Sequence, residues 1–92
     1  MTKELVFITV LGKDQKGIIA RVSGALFKHS INIEDVNQKI WDGYFVMTML
    51  VDISGSTKTI GELKKELSVI ENEMSLKIQV QQENIFKSMH RV

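Results

Sequence analysis

The sequence predicts an α+β sandwich of order βαββαβ, with a four-stranded antiparallel sheet, two helices on one face and a short extra helix at the C-terminus. Three observations lead there. Two runs, residues 5–11 (LVFITVL) and 44–51 (YFVMTMLV), are apolar at consecutive positions and rich in β-branched or aromatic residues, as central strands are. Two other stretches repeat apolar residues at helical spacing. The two remaining strand-like stretches are only partly apolar, which suits sheet edges. One right-handed crossover per half folds this order into the ferredoxin-like arrangement. A chain of 92 residues has room for one such domain, spanning 1–92.

Residues 5–11 end at Gly12-Lys13-Asp14-Gln15-Lys16-Gly17, a polar segment bracketed by glycines that breaks the strand. From Ile18 to about Ser30, the residues Ile18, Val22, Ala25 and Leu26 share one helical face. Ser23 and Gly24 between them allow a close approach. Glycine in a helix costs about 1 kcal/mol against alanine, so a packing reason for Gly24 is expected. In residues 31–41 the apolar phase slips from Ile31 and Ile33 to Val36 and Ile40, which predicts a bulge or an irregular edge strand. Asp42-Gly43 predicts a tight hairpin.

Ser54-Gly55-Ser56 reads as a loop, and Thr59-Ile60-Gly61-Glu62 has the form of a capping box. Behind it Ile60, Leu63, Leu67 and Ile70 make an apolar stripe, with Lys64, Lys65, Glu66 and Glu71 expected in solvent. Leu76, Ile78 and Val80 alternate with Lys77, Gln79 and Gln81, the pattern of a half-exposed edge strand. Beyond Glu83, the residues Ile85, Met89 and Val92 are spaced as in a short amphipathic helix. Helices on one face leave the other bare, yet Phe7 and Leu11 oppose Val6, Ile8 and Val10 on the first strand. That second face is expected to need a lid, from the C-terminal helix or a second copy of the chain.

Composition narrows the function. Twelve basic and eleven acidic residues give a net charge of +1, so neither nucleic acid nor an anionic membrane is an expected partner. The absence of cysteine excludes disulfides, thiolate zinc and a catalytic thiol, and fits a reducing cytoplasm. The N-terminus runs straight into a strand, with no signal peptide expected. No apolar run approaches the ~20 residues of a membrane helix.

Loop 12–17 carries the most chemistry. Glycine, four residues and glycine outline a phosphate loop, but Ile18 and Ile19 stand where a Walker motif needs Lys and Ser/Thr. What remains is a helix start with free backbone N–H groups and a positive dipole end, suited to a carboxylate or phosphate. Gly17 lets a ligand approach the backbone, and Asp14 can cap the helix or receive an ammonium group. By itself the loop reads more simply as a capped turn. Asn32, between Ile31 and Ile33, has an amide that both donates and accepts, as recognition of an amino-acid backbone requires. Alone, it is equally a turn-favouring asparagine at a strand start.

Together these segments resemble the ACT domain, a regulatory module of enzymes and regulators of amino-acid metabolism. The matching stretch, ITVLGKDQKGIIARVSGALFKHSINIEDVNQKIWDGYFVMTMLVD, runs from residue 8 to 52, and the second helix and last strand follow in order. It is most similar to stand-alone single-ACT proteins of bacteria and archaea, and more distantly to tandem-ACT regulators of glycine cleavage. The resemblance implies a cytoplasmic homodimer that senses an amino acid or analogue and signals to a separate partner protein. It implies a site in which Asp14, Lys16, Gly17 and Ile18 of one copy face Asn32 and Ile33 of another. Lys16 stands where many such loops carry a proline, which implies a less rigid loop and an altered ligand preference.

Two other classes compete. An RNA-recognition domain shares the element order, with Phe7 as a stacking ring. Its third-strand motif is only half met, because Asp42 replaces a basic residue and Val46 a second ring. An acylphosphatase-like enzyme needs an arginine aimed into the first loop, whereas Arg21 lies a full turn past Gly17. His29 and His90 have no metal spacing. No catalytic residue, metal or cofactor is therefore expected, and a purely structural or protein-binding module is the remaining alternative. Met47, Met49 and Met89 are expected as core or interface filler. His29 is expected at a helix end, and Trp41 equally in a dimer contact or in ordinary packing.

Overall fold

Six elements follow the expected order: β1 (Leu5–Lys13), α1 (Ile18–Lys28), β2 (Asn32–Trp41), β3 (Tyr44–Asp52), α2 (Ile60–Met74) and β4 (Lys77–Gln82). The computed structural model describes residues 3–82, so the helix expected beyond Glu83, with Met89 and His90, lies outside the described residues. The strands form one antiparallel sheet in the order β2-β3-β1-β4. The two doubly apolar runs are thus its central strands and the two mixed runs its edges, as their patterns require.

Alternation decides which side chains are buried. Val6, Ile8 and Val10 of β1 and Phe45, Met47, Met49 and Val51 of β3 point to the helices and are buried. They meet Ile18, Val22, Ala25 and Leu26 of α1 and Leu63, Leu67 and Ile70 of α2 in one core. The opposite face carries Phe7, Thr9, Val46, Thr48 and Leu50, all half-buried, and the more exposed Leu11 and Tyr44. No helix among the described residues is long and apolar enough to cross a membrane.

The phase slip in β2 is a bulge. Ile33 pairs with Val51 and Asp35 with Leu50, so Glu34 is the extra residue. Asp42 and Gly43 both have positive φ, 53° and 80°, which suits the primed turn that closes a two-residue hairpin. At the start of α2 the Glu62 amide donates to Thr59 Oγ1 at 3.2 Å and the Thr59 amide donates to Glu62 Oε1 at 3.0 Å, completing the capping box.

Helix α1 ends in a Schellman motif. The Ile31 amide donates to the Leu26 carbonyl at 3.0 Å and the Ser30 amide to that of Phe27 at 3.1 Å, with Ser30 left-handed at φ 58°. Buried Ile31 and Leu26 add the hydrophobic contact such caps favour. A serine there carries a Cβ penalty that glycine avoids. Ser30→Gly is expected to stabilise the fold by about 0.5–1 kcal/mol, after the entropy glycine adds to the unfolded chain. A higher midpoint in urea with an unchanged slope would show it; a lower midpoint would mean that the serine side chain has a contact worth more than the strain.

Four residues depart from the sequence pattern. Glu71, expected in solvent, is half-buried and accepts a hydrogen bond from the Ile78 amide at 2.7 Å. Glu66, expected in solvent, is turned inward to His29, which is itself buried at the C-cap of α1. Trp41 is 71% exposed, so packing within the chain does not explain it; Lys39 Nζ lies 5.8 Å from its ring centroid. A Cβ added at Gly24 would meet nothing within 4 Å, so the packing reason expected for that glycine does not lie among the described residues.

Candidate functional site

Gly12 does not break the strand as expected: Gly12 and Lys13 continue β1 opposite Phe45 and Tyr44, and segment 12–17 is pinned on three sides. The Asp14 amide donates to the Gly43 carbonyl at 3.0 Å, tying the loop to the β2–β3 hairpin. Gln15 Nε2 donates to the Met74 carbonyl at the end of α2, at 2.9 Å. Gly12 sits so close to Leu76 that a Cβ there would fall 2.6 Å from Leu76 Cδ2 and 3.4 Å from both Leu76 Cα and the Ser75 carbonyl. These contacts hold a loop that lacks the stiffening proline. The two glycines therefore differ in kind: Gly12 accommodates Leu76, whereas nothing lies within 4 Å of a Cβ at Gly17.

Gly17 is the N-cap of α1 and is left-handed, with φ 91°. No side chain caps this helix, and its first turn holds no acidic residue. Asp14 therefore does not play the capping role considered for it, because the N-cap lies three residues further on, at Gly17. The Gly17 carbonyl takes the Arg21 amide at 2.9 Å. The three amides before Arg21 have no intrahelical acceptor, and they make this end of α1 electropositive. Asp14, Lys16 and Gly17 are exposed around it. The Ile18 side chain is 2% exposed and belongs to the core, so that residue can offer a ligand only its backbone. Arg21 is engaged in an ion pair with Glu73 of α2.

Asn32 and Ile33 are elsewhere. Gly12 opposes Phe45 on β3, while Asn32 opposes Asp52, seven positions along the same strand. At ~3.4 Å per residue this puts the two halves of the expected site about 24 Å apart, at opposite ends of the sheet. Within one chain they do not meet. Ile33 is half-buried against the core, and Asn32 is exposed with its amide donating to the Glu34 carboxylate. Glu34 is also held by an ion pair with Lys3, and the hydrogen bonds from Lys3 and then Asn32 keep its pKa below the ordinary 4.5. Asp52 beside it accepts from the Ser54 and Glu4 amides, each at 3.0 Å, which lowers its pKa too. Sequence reasoning missed Lys3 and Glu34; the only signal was the bulge, which sets Glu34 out of register beside Asn32.

An ACT domain model matches residues 4–81. The chain belongs to the ACT domain family. A UPF0237 protein of Clostridium perfringens is 53% identical over 85 residues, covering 92% of this chain and 96% of the relative. Among solved structures, an ACT domain protein from Streptococcus pneumoniae is 34% identical with a TM-score of 0.78, covering 92% of this chain and 96% of that one. The regulatory subunit of aspartate kinase from Thermus thermophilus shares the fold at TM-score 0.67 and 21% identity, over 87% of this chain and 52% of that one.

The sheet of this ACT domain keeps Phe7 and Tyr44 apart. On its open face Phe7 opposes Leu50, and Tyr44 lies six positions further along β3, so the two rings are roughly 20 Å apart. Base stacking needs neighbouring rings. Among the described residues, no three His, Asp or Glu side chains group as metal ligands would.

Proposed function

We propose that this ACT domain is a non-catalytic regulatory sensor of a small amino acid or a related metabolite, with each site built from two copies of the chain. The observation that carries this reading is the ~24 Å separation of loop 12–17 from Asn32 within one chain, together with the position of β2 at a sheet edge. An edge strand has an unused row of backbone donors and acceptors. Pairing two β2 strands antiparallel about a two-fold axis sets the Asn32 end of one copy beside the Trp41 end of the other. The Trp41 end is also where loop 12–17 lies, since Asp14 is bonded to the hairpin. The symmetric edge pairing thus brings together the two halves that a single chain keeps apart.

The chemistry is that of a zwitterion. A ligand carboxylate suits the uncapped first-turn amides of α1, with Lys16 adding positive charge. An ammonium suits Asp14 and the carbonyl of the second copy's Asn32, whose amide nitrogen is already engaged by Glu34. A ligand touching both copies favours the dimer by no more than its differential affinity, and that bias is the signal a separate partner protein reads.

Thermal-shift screening against the twenty amino acids tests this. Ligand at a hundredfold excess over its Kd stabilises by about 2.7 kcal/mol, which raises Tm by several degrees in a domain of this size. Asn32→Ala is expected to abolish that rise while leaving the unliganded Tm nearly unchanged, since Asn32 is exposed. A flat screen would sink ligand sensing, and sedimentation of a monomer at tens of micromolar protein would sink the shared site.

A further inference from the structure

Helices α1 and α2 leave a groove of roughly 970 Å³ between them. Its apolar lining includes Gly24, Ala25 and Ile70, flanked by Phe27, which is 83% exposed, and Val69, which is 53% exposed. Gly24 is the unusual member. Its φ is not among the positive ones, and a Cβ there would meet nothing within 4 Å, so neither backbone conformation nor contacts among the described residues call for glycine. A mid-helix glycine nonetheless lowers helix stability. What it provides is open space in the lining, where a side chain from outside can enter without meeting a Cβ.

The charges choose the occupant. Arg21, Lys28, Lys58 and Lys65 line the groove against only two carboxylates, Glu62 and Glu66. Both carboxylates are engaged, Glu62 in the cap of α2 and Glu66 with His29 and Lys28. Arg21 is paired with Glu73, Lys28 with Glu66 and Lys58 with Glu62, so the positive charge left over on the rim is that of Lys65, which has no ion-pair partner among the described residues. A second copy presenting the same face would set like charges together, which costs affinity. Residues 83–92 (ENIFKSMHRV) hold one acidic and two basic side chains besides histidine, and fit no better.

We propose that this groove is the docking surface for an acidic amphipathic helix of a partner protein, with apolar residues at i, i+3 or i+4, and i+7 entering over Gly24 and acidic residues reaching Lys65 and Lys28. It is independent of the amino-acid site: it uses the outer face of the helices and needs neither loop 12–17 nor Asn32.

The test is selection of random 16-residue peptides on the full-length protein, with each enriched peptide then titrated by fluorescence anisotropy. Enriched sequences are expected to be net negative with apolar residues at helical spacing. Gly24→Trp, which fills the groove, and Lys65→Glu are each expected to weaken them by about tenfold or more. Gly24→Ala guards against a folding artefact, since it is expected to raise Tm while weakening the peptides severalfold. Enrichment of neutral or basic peptides, equal binding by Gly24→Trp, or no enrichment at all would overturn the proposal. So would a dimer that Gly24→Trp dissociates, because the occupant would then be a second copy. An amino-acid response in the thermal screen leaves every one of these outcomes open.

Discussion

Gly12→Val is expected to cost about 1–3 kcal/mol of stability, and Gly17→Val about 1–2 kcal/mol, with only the second removing the response to ligand specifically. The reasons differ. At Gly12 even a Cβ would lie 2.6 Å from Leu76 Cδ2, and buried Leu76 has the Ser75 carbonyl and its own Cα close behind at 3.4 Å. The branched side chain therefore forces the α2–β4 connection away from β1. At Gly17 there is open space, and the cost is entirely backbone, because φ 91° is a conformation that β-branched residues rarely adopt. The methyls introduced by Gly17→Val would also stand beside the first-turn amides of α1, where the ligand carboxylate is proposed to sit. Urea titration reads the two stabilities, and calorimetry on the folded fraction reads binding. Gly17→Asn, which tolerates positive φ, separates strain from obstruction. If Gly17→Val still bound an active amino acid as the natural chain does, the start of α1 would not be the anion seat.

This contrast marks where sequence reading stops. The strands and helices were legible because local periodicity and burial agree: residues 5–11 and 44–51 are apolar on both alternation phases and lie centrally, and the phase slip at Ile33 to Val36 is the bulge at Glu34. The two glycines of loop 12–17 look alike in sequence. They separate only when Leu76, distant along the chain, is seen against Gly12. The opposition of loop 12–17 and Asn32 was likewise illegible, since it depends on which residues of β1 and β2 share rungs with β3. Other misses did have a local signal. His29 follows Leu26 by three residues and Val22 by seven, and Glu66 follows Leu63 by three and precedes Ile70 by four. Helical spacing thus puts both on the inner side of their helices; polarity alone led to the solvent reading of Glu66, while His29 lies at the helix end expected for it.

That inward pair supports the other large effect. Glu66→Ala is expected to destabilise the domain by about 1–3 kcal/mol, whereas replacing His29 and Glu66 together with Leu and Met is expected to cost much less. His29 is 5% exposed and bridges the helices, its Nε2 donating to Glu66 Oε1 at 2.7 Å. An ionised carboxylate only accepts, so Nε2 carries the proton and Nδ1 is left as an acceptor. Nδ1 is buried without a hydrogen-bond partner. Removing Glu66 then leaves both ring nitrogens buried and unpaired, while removing both residues leaves no polar atom to satisfy. A double-mutant cycle in urea measures the difference, and additive losses would mean that the two residues are not coupled. The pH dependence follows from the same contact. The His29 hydrogen bond first, and the charge of Lys28 after it, hold the Glu66 pKa below the ordinary 4.5. A carboxylate with a depressed folded pKa stabilises fully above its unfolded value, and that contribution fades as pH falls through the folded one. The gap between the natural chain and Glu66→Ala is therefore expected to be widest above about pH 5 and to narrow below about pH 4.5. A gap that stayed constant down to about pH 3 would place the loss in packing rather than in the carboxylate.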